Sequence, residues 1–182
     1  PVKMAVCSSV AALCGSLIGA SLSLLISESV IRHMMIVVLP VVAFYVLKNK
    51  DFGESRQTGT LKKEVQLLIS MGAGFVIGIY DGLYGPGTGT FLLLILTGLA
   101  KLPVTEASGL TKVINLSSNV AALITFIIHG TVYYPLGLAA AVFCIAGHYI
   151  GSGMVVSNGR KIVRPVVLCV LAVLFIKVLS GN

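Results

Sequence analysis

Tryptophan is absent, and only 6 of the 182 residues are acidic. Lys and Arg add 13 more, so 10% of the chain is charged, against about a quarter of an ordinary soluble domain. Apolar residues make up 57%, and the mean hydropathy is +1.02. This surface has too little charge to be solvated, which excludes a soluble globular domain. It also excludes disorder, which needs low hydrophobicity and high charge. Cys7, Cys14, Cys144 and Cys169 lie in apolar runs, and none form a CxxC. Zinc needs clustered Cys and His ligands, so no metal site is expected. There is no HExxH and no GxSxG, so neither a cofactor nor an enzymatic activity is expected. The net charge of +7 comes without a basic stripe interleaved with aromatics, so nucleic acid is not an expected partner.

Long apolar runs, by contrast, are plentiful. A spanning helix needs about 20 apolar residues. The sequence predicts an all-α, polytopic transmembrane bundle of about seven spans, at 4–27, 30–48, 65–80, 88–101, 104–129, 132–156 and 161–180. The one long hydrophilic stretch, KNKDFGESRQTGTLKKE, follows the second span. With this loop in the cytoplasm and each span crossing once, every Lys and Arg except Arg32 and Lys177 falls inside. Cytoplasmic loops collect Lys and Arg, so this orientation is preferred, with the C-terminus outside. Membrane lipid is then an expected partner.

The third and fourth spans are short and are joined by DGLYGPGTG. Irregular backbone at membrane depth survives only when buried in protein or lining a wet cavity. A broken or re-entrant hairpin is expected, with an ordinary tight turn at the outer surface as the alternative.

Sliding the chain by 132 residues places Gly15 on Gly147, Gly19 on Gly151 and Arg32 on Arg164. The shared pattern is GxxxG, then Arg, then a span. In the preferred topology these repeats are inverted, as in secondary transporters whose site lies between repeats near the midplane. The expected organisation is 1–48 as the tail of a first repeat, 49–64 as a cytoplasmic loop and 65–182 as a second repeat. By the same spacing, about 70 residues holding the first repeat's counterpart of the glycine run would precede Pro1.

GIYDGLYGPGTGTFL (78–92), ASGLTKVINLSSNVAAL (107–123) and the Gly147/Gly151 span followed by Arg164 together resemble the second half of the TauE/SafE, or sulfite exporter, family of membrane permeases. The resemblance covers essentially the whole chain. It implies two related halves, each with a Gly-rich motif, in a bacterial plasma membrane. It also implies transport of a small anion, sulfite or an organosulfonate, and leaves the substrate open. The expected mechanism is alternating access between the repeats, with proton coupling as a further expectation. The alternative is a non-transporting subunit or an incomplete fragment that needs a partner. A homo-oligomer is one form such a partner could take.

Gly85, Pro86, Gly87, Thr88 and Gly89 would start a helix with free N–H groups at its positive end, a ready anion site. The glycines alternatively serve a sharp turn and close packing. Thr111, Lys112, Asn115, Ser118 and Asn119 follow on a polar helix. Thr111, Asn115 and Asn119 are spaced by four and would share one face lining a substrate path, or act as interhelical polar contacts. Lys112, if deep, would pair with the anion or with Asp81; if shallow, it snorkels to the cytoplasmic surface. Asp81 is a candidate proton carrier, or an ordinary turn residue. His148 reads either as a second proton-coupling candidate or as a packed, hydrogen-bonded histidine.

Overall fold

A computed structural model describes residues 2–48 and 61–158, together with Cys169, Ala172, Val173 and Ile176. Among these, every regular element is helical: α1 (Val2–Ser23), α2 (Glu28–Lys48), α3 (Lys63–Leu83), α4 (Thr88–Gly98), α5 (Val104–Ile128) and α6 (Tyr134–Asn158). Helix α1, α3, α5 and the Tyr134–Gly151 part of α6 are long and apolar enough to cross a membrane. The seventh expected span, 161–180, lies outside the described residues apart from the last four named, which are helical. Arg164 and most of the basic loop also lie outside them.

One expectation needs correction. The third span was expected to be short, at 65–80. Helix α3 instead runs 21 residues, to Leu83, and is a full span. The polar residue that seems to end it, Asp81, stays helical because hydroxyls from two other helices satisfy it. Only α4 is short. Its 11 residues rise about 16 Å, roughly half of a hydrocarbon core.

The chain divides into two compact units, Pro1–Ile31 with Gly53–His129, and Arg32–Phe52 with Gly130–Asn182. In the first, α1 and α3 run parallel, with Met4 beside Ser70, Ser8 beside Gly74 and Ala12 beside Gly78. Single crossings by the first three expected spans require this parallel pair. The contact is backbone on backbone. A Cβ added at Gly74 would lie 2.7 Å from the Ser8 carbonyl oxygen, and one at Gly78 2.7 Å from that of Ala12. From the other side, Gly15 and Gly19 sit directly on the Phe75 and Ile79 carbonyls. Small residues at every fourth position on both helices permit this approach, which van der Waals contact then stabilises.

Helix α5 closes the unit with a buried face of Ala107, Leu110, Thr111, Ile114, Ser118, Ala121 and Thr125. It runs in the same direction as α1 and α3. Its start shares a cavity wall with Val2 and Lys63, and Ser118 meets Ser16 further along. Helix α4 returns between them. Its fully buried Leu92 and Leu96 join Ala100, Leu102, Ala107 and Ile114 in the core. Gln66 Nε2 donates to the Ala100 carbonyl at 3.1 Å, which ties the end of α4 to the start of α3.

In the second unit, α6 exposes its residues from Tyr134 through Ile150, and no described side chain or backbone lies within 4 Å of a Cβ built on Gly147 or Gly151.

Candidate functional site

The α3–α4 hairpin turns inside the bundle. Its tip is level with Ser118, which stands about 21 Å from the start of α5 and about 15 Å from its end. The hairpin tip therefore lies beside the middle of α5 rather than beside its end.

Glycine makes the turn. Gly85 and Gly87 have φ of +90° and +86°, a region that side-chain-bearing residues rarely adopt. Tyr80 OH donates to the Pro86 carbonyl at 2.6 Å, and the Tyr80 ring packs edge-on against Tyr84 and Phe91. The tip is thus held by its own aromatic side chains.

Four helices meet at Asp81. Thr88 Oγ1, at the first residue of α4, lies 2.6 Å from Asp81 Oδ1 and 2.5 Å from the Gly85 carbonyl oxygen. Ser118 Oγ on α5 donates to Asp81 Oδ2. Ser16 Oγ on α1 donates to the Ser118 carbonyl at 2.6 Å and so fixes the Ser118 backbone from behind. Ser16, Thr88 and Ser118 are buried, and Asp81 is half-buried.

The start of α4 keeps donors free. The N–H groups of Thr88, Thr90 and Phe91 bond to the carbonyls of Gly85 and Gly87. Those of Gly87 and Gly89 have no partner among the described residues. Beside them, a Cβ on Gly89 would lie 3.9 Å from Thr111 Cγ2. Thr111 is 8% exposed, and its hydroxyl has no partner among the described residues. Uncompensated burial of a hydroxyl costs about 1–3 kcal/mol, so a polar occupant beside Thr111 would be stabilising. These donors at a helix start can hold an oxyanion.

The structure brings together Gly85, Pro86, Gly87, Thr88 and Gly89 with Asp81, Thr111 and Ser118. The other expected site residues depart from this cluster. Asn115 is half-buried, and its carbonyl accepts from Ser118 Oγ at 3.0 Å and Asn119 Nδ2 at 2.7 Å. Asn119 is exposed, with its amide folded back on its own helix. The expected common face of Thr111, Asn115 and Asn119 is therefore corrected. Each step of four rotates about 40° around a helix, so Asn119 stands about 80° from Thr111. Ser118 keeps to the packed face.

Lys112 is exposed and forms no ion pair with Asp81, whose partners are hydroxyls. Among the described residues His148 is exposed on α6, in the second unit. A cavity of about 650 Å³ opens elsewhere in the first unit, lined by Lys3, Lys63, Glu64, Gln66, Glu106 and Leu110 at the helix starts. Ser16 and Tyr80 escaped sequence reasoning. The signal for Ser16 was present in the four-residue spacing Ser8, Ala12, Ser16, Ala20, the face that meets Gly74, Gly78 and Gly82.

The sequence matches the family described as "Sulfite exporter TauE/SafE" over residues 1–178. It is 30% identical over 168 residues to "Probable membrane transporter protein YfcA" of Escherichia coli strain K12, covering 92% of this chain and 61% of that one. It is 31% identical over 166 residues to "Probable membrane transporter protein ORF9" of Sinorhizobium sp, covering 91% and 62%. With "Probable membrane transporter protein" of Haemophilus influenzae the identity is 27% over 154 residues, covering 85% and 59%. The chain spans about three fifths of the length of these curated relatives. No solved structure matches it. An apolar helical bundle, a glycine hairpin turned back inside it and a family match along nearly the whole sequence agree: this chain is an integral membrane protein of the sulfite exporter TauE/SafE family of membrane transporters.

Proposed function

We propose that the protein moves a small anion, sulfite or an organosulfonate, across a bacterial plasma membrane by alternating access. The carrying observation is the pair of free Gly87 and Gly89 amides beside the buried, unpartnered Thr111 hydroxyl, at the start of a half-length helix inside the bundle. Donors held in a dry site replace the hydration shell of an oxyanion without reorganising. Pro86 fits the turn because its fixed φ and missing N–H are tolerated where a helix begins.

The inverted relation of 1–48 to 65–182 supports movement of one repeat against the other around this site. The charge distribution supports a cytoplasmic basic loop and an outside C-terminus. Proton coupling belongs to the same proposal, with Asp81 and His148 as its candidates. Because the chain spans three fifths of its relatives, a subunit that transports only with a partner, or with a second copy, is the competing reading.

Proteoliposomes decide between them. Saturable flux of sulfite or sulfoacetate, with sulfate as comparison, is expected and should fall at least tenfold in Thr111→Val. No flux of any of these anions would remove the transport reading for this chain and leave the subunit reading. Maleimide labelling of a cysteine placed in the basic loop, from inside only, is the expected topology result.

A further inference from the structure

The cavity of about 650 Å³ in the first unit is lined by none of the hairpin residues. It opens among the starts of α3 and α5 and the Val2–Ala5 stretch of α1. Lys3, Lys63, Glu64 and Glu106 stand on its wall. All four are exposed, and among the described residues none of them forms an ion pair. Their formal charges cancel. The floor beneath them is apolar, with Leu102 and Leu110 both buried. The volume falls in the range of about 300–1,000 Å³ usual for small-molecule sites.

Helices α3 and α5 are membrane-spanning, so their first turns, and the cavity with them, lie at the level of the lipid headgroups. Glu64 and Glu106 suit the positive end of a helix dipole, whereas Lys63, at the first position of α3, opposes it. A phosphate between Lys3 and Lys63 removes that conflict. The N–H groups of Thr105 and Glu106 have no partner among the described residues, and both residues line the cavity. They add donors for the same phosphate. Two carboxylates then remain, which call for a cation on the same ligand. An apolar path leads outward. Val113 lines the cavity and is exposed, and Leu116 and Val120 continue its face along α5, also exposed. The ligand these features fit carries a phosphate, an ammonium and an apolar chain.

We infer that this cavity holds the headgroup of a zwitterionic membrane phospholipid with a primary ammonium, phosphatidylethanolamine. Its phosphate meets Lys3, Lys63 and the two α5 amides. Its ammonium donates to Glu64 and Glu106, and an acyl chain follows Val113, Leu116 and Val120. A primary ammonium has three N–H donors for the two carboxylates, and the quaternary ammonium of phosphatidylcholine has none. Phosphatidylglycerol brings a phosphate but no cation, and leaves both glutamates opposed to its charge. The inference does not depend on what the protein transports.

The test titrates the whole chain in detergent with short-chain phospholipids, read by native mass spectrometry. One phosphatidylethanolamine per chain is expected, bound about tenfold or more tighter than phosphatidylcholine or phosphatidylglycerol, as charged hydrogen bonds require. The double variant Glu64→Gln with Glu106→Gln should lose this preference and favour phosphatidylglycerol. Lys3→Gln with Lys63→Gln should weaken all three lipids. Wild-type binding should also fall stepwise through the mono- and dimethylated forms of phosphatidylethanolamine, a series that needs no variant to fold. Equal binding of the three lipids, a wild-type preference for phosphatidylglycerol, or a preference that survives the glutamate double variant overturns the inference. Free phosphoethanolamine binding as tightly as the lipid would make the occupant a soluble ion and overturn the lipid assignment. Binding of no lipid at all also overturns it, and would mean that another part of the protein covers the cavity.

Discussion

Helices α1 and α6 carry the same sequence signature, GxxxG with an Arg further along (Arg32 and Arg164), among different described surroundings. Gly15 and Gly19 lie on the backbone of α3, whereas Gly147 and Gly151 have no described atom against them. The difference teaches that a small-xxx-small pattern permits close approach without creating a partner. Helix α1 meets a second ladder, Gly74, Gly78 and Gly82, whose spacing and direction match its own. On α6 no described residue offers such a ladder to Gly147 and Gly151.

Substitutions sharpen this contrast. The largest effect is expected at Gly19→Val. Its side chain would meet the Ile79 carbonyl and the Leu83 amide, both backbone, so the helices must separate. A cost of about 3 kcal/mol or more is expected, read as lost folded yield and a lower melting temperature in detergent. Asp81→Ala comes next. It leaves the Thr88 and Ser118 hydroxyls without their common acceptor inside the bundle, a loss of about 1–3 kcal/mol, with anion flux lost as well. Ser16→Ala removes one hydrogen bond to the Ser118 carbonyl and should cost about 1 kcal/mol, with a rightward shift in the anion concentration for half-maximal flux. Gly147→Ala is expected to be neutral or stabilising by up to about 1 kcal/mol, since alanine favours the helix and meets no described atom. A melting temperature that falls as far for Gly147→Ala as for Gly19→Ala would break the comparison and show that α6 has its own backbone partner.

The elements were largely legible because bilayer length and apolar run length are the same constraint. The expected spans at 30–48 and 104–129 match α2 and α5 nearly residue for residue. The misjudged boundary, 80 against Leu83, lies where a polar residue is helical only because other helices satisfy it. The glycine run was legible as a turn through its composition. The polar residues of α5 were legible as a set but were sorted wrongly. Thr111, Asn115 and Asn119 share a sequence spacing, whereas the packed face follows Thr111, Ile114 and Ser118. A straight helix packed against parallel neighbours buries alternating three- and four-residue steps, and a pure four-residue ladder drifts off that face.

By itself the sequence determined that the chain lives in a membrane as helices, that one segment breaks at residues 85–89, and which family it belongs to. Composition, run length and local backbone chemistry act without distant contacts, so they can be read along the chain. Only the tertiary structure decided that the break lies within the bundle, that Asp81 is met by Thr88 and Ser118 rather than Lys112, and that Gly15 and Gly19 have a partner. Ser16, Asp81, Thr88 and Ser118 are separated by up to 102 positions, and no local rule joins them. Their meeting follows from three parallel helices and one half-length return, where partial burial of a carboxyl group favours hydroxyl partners.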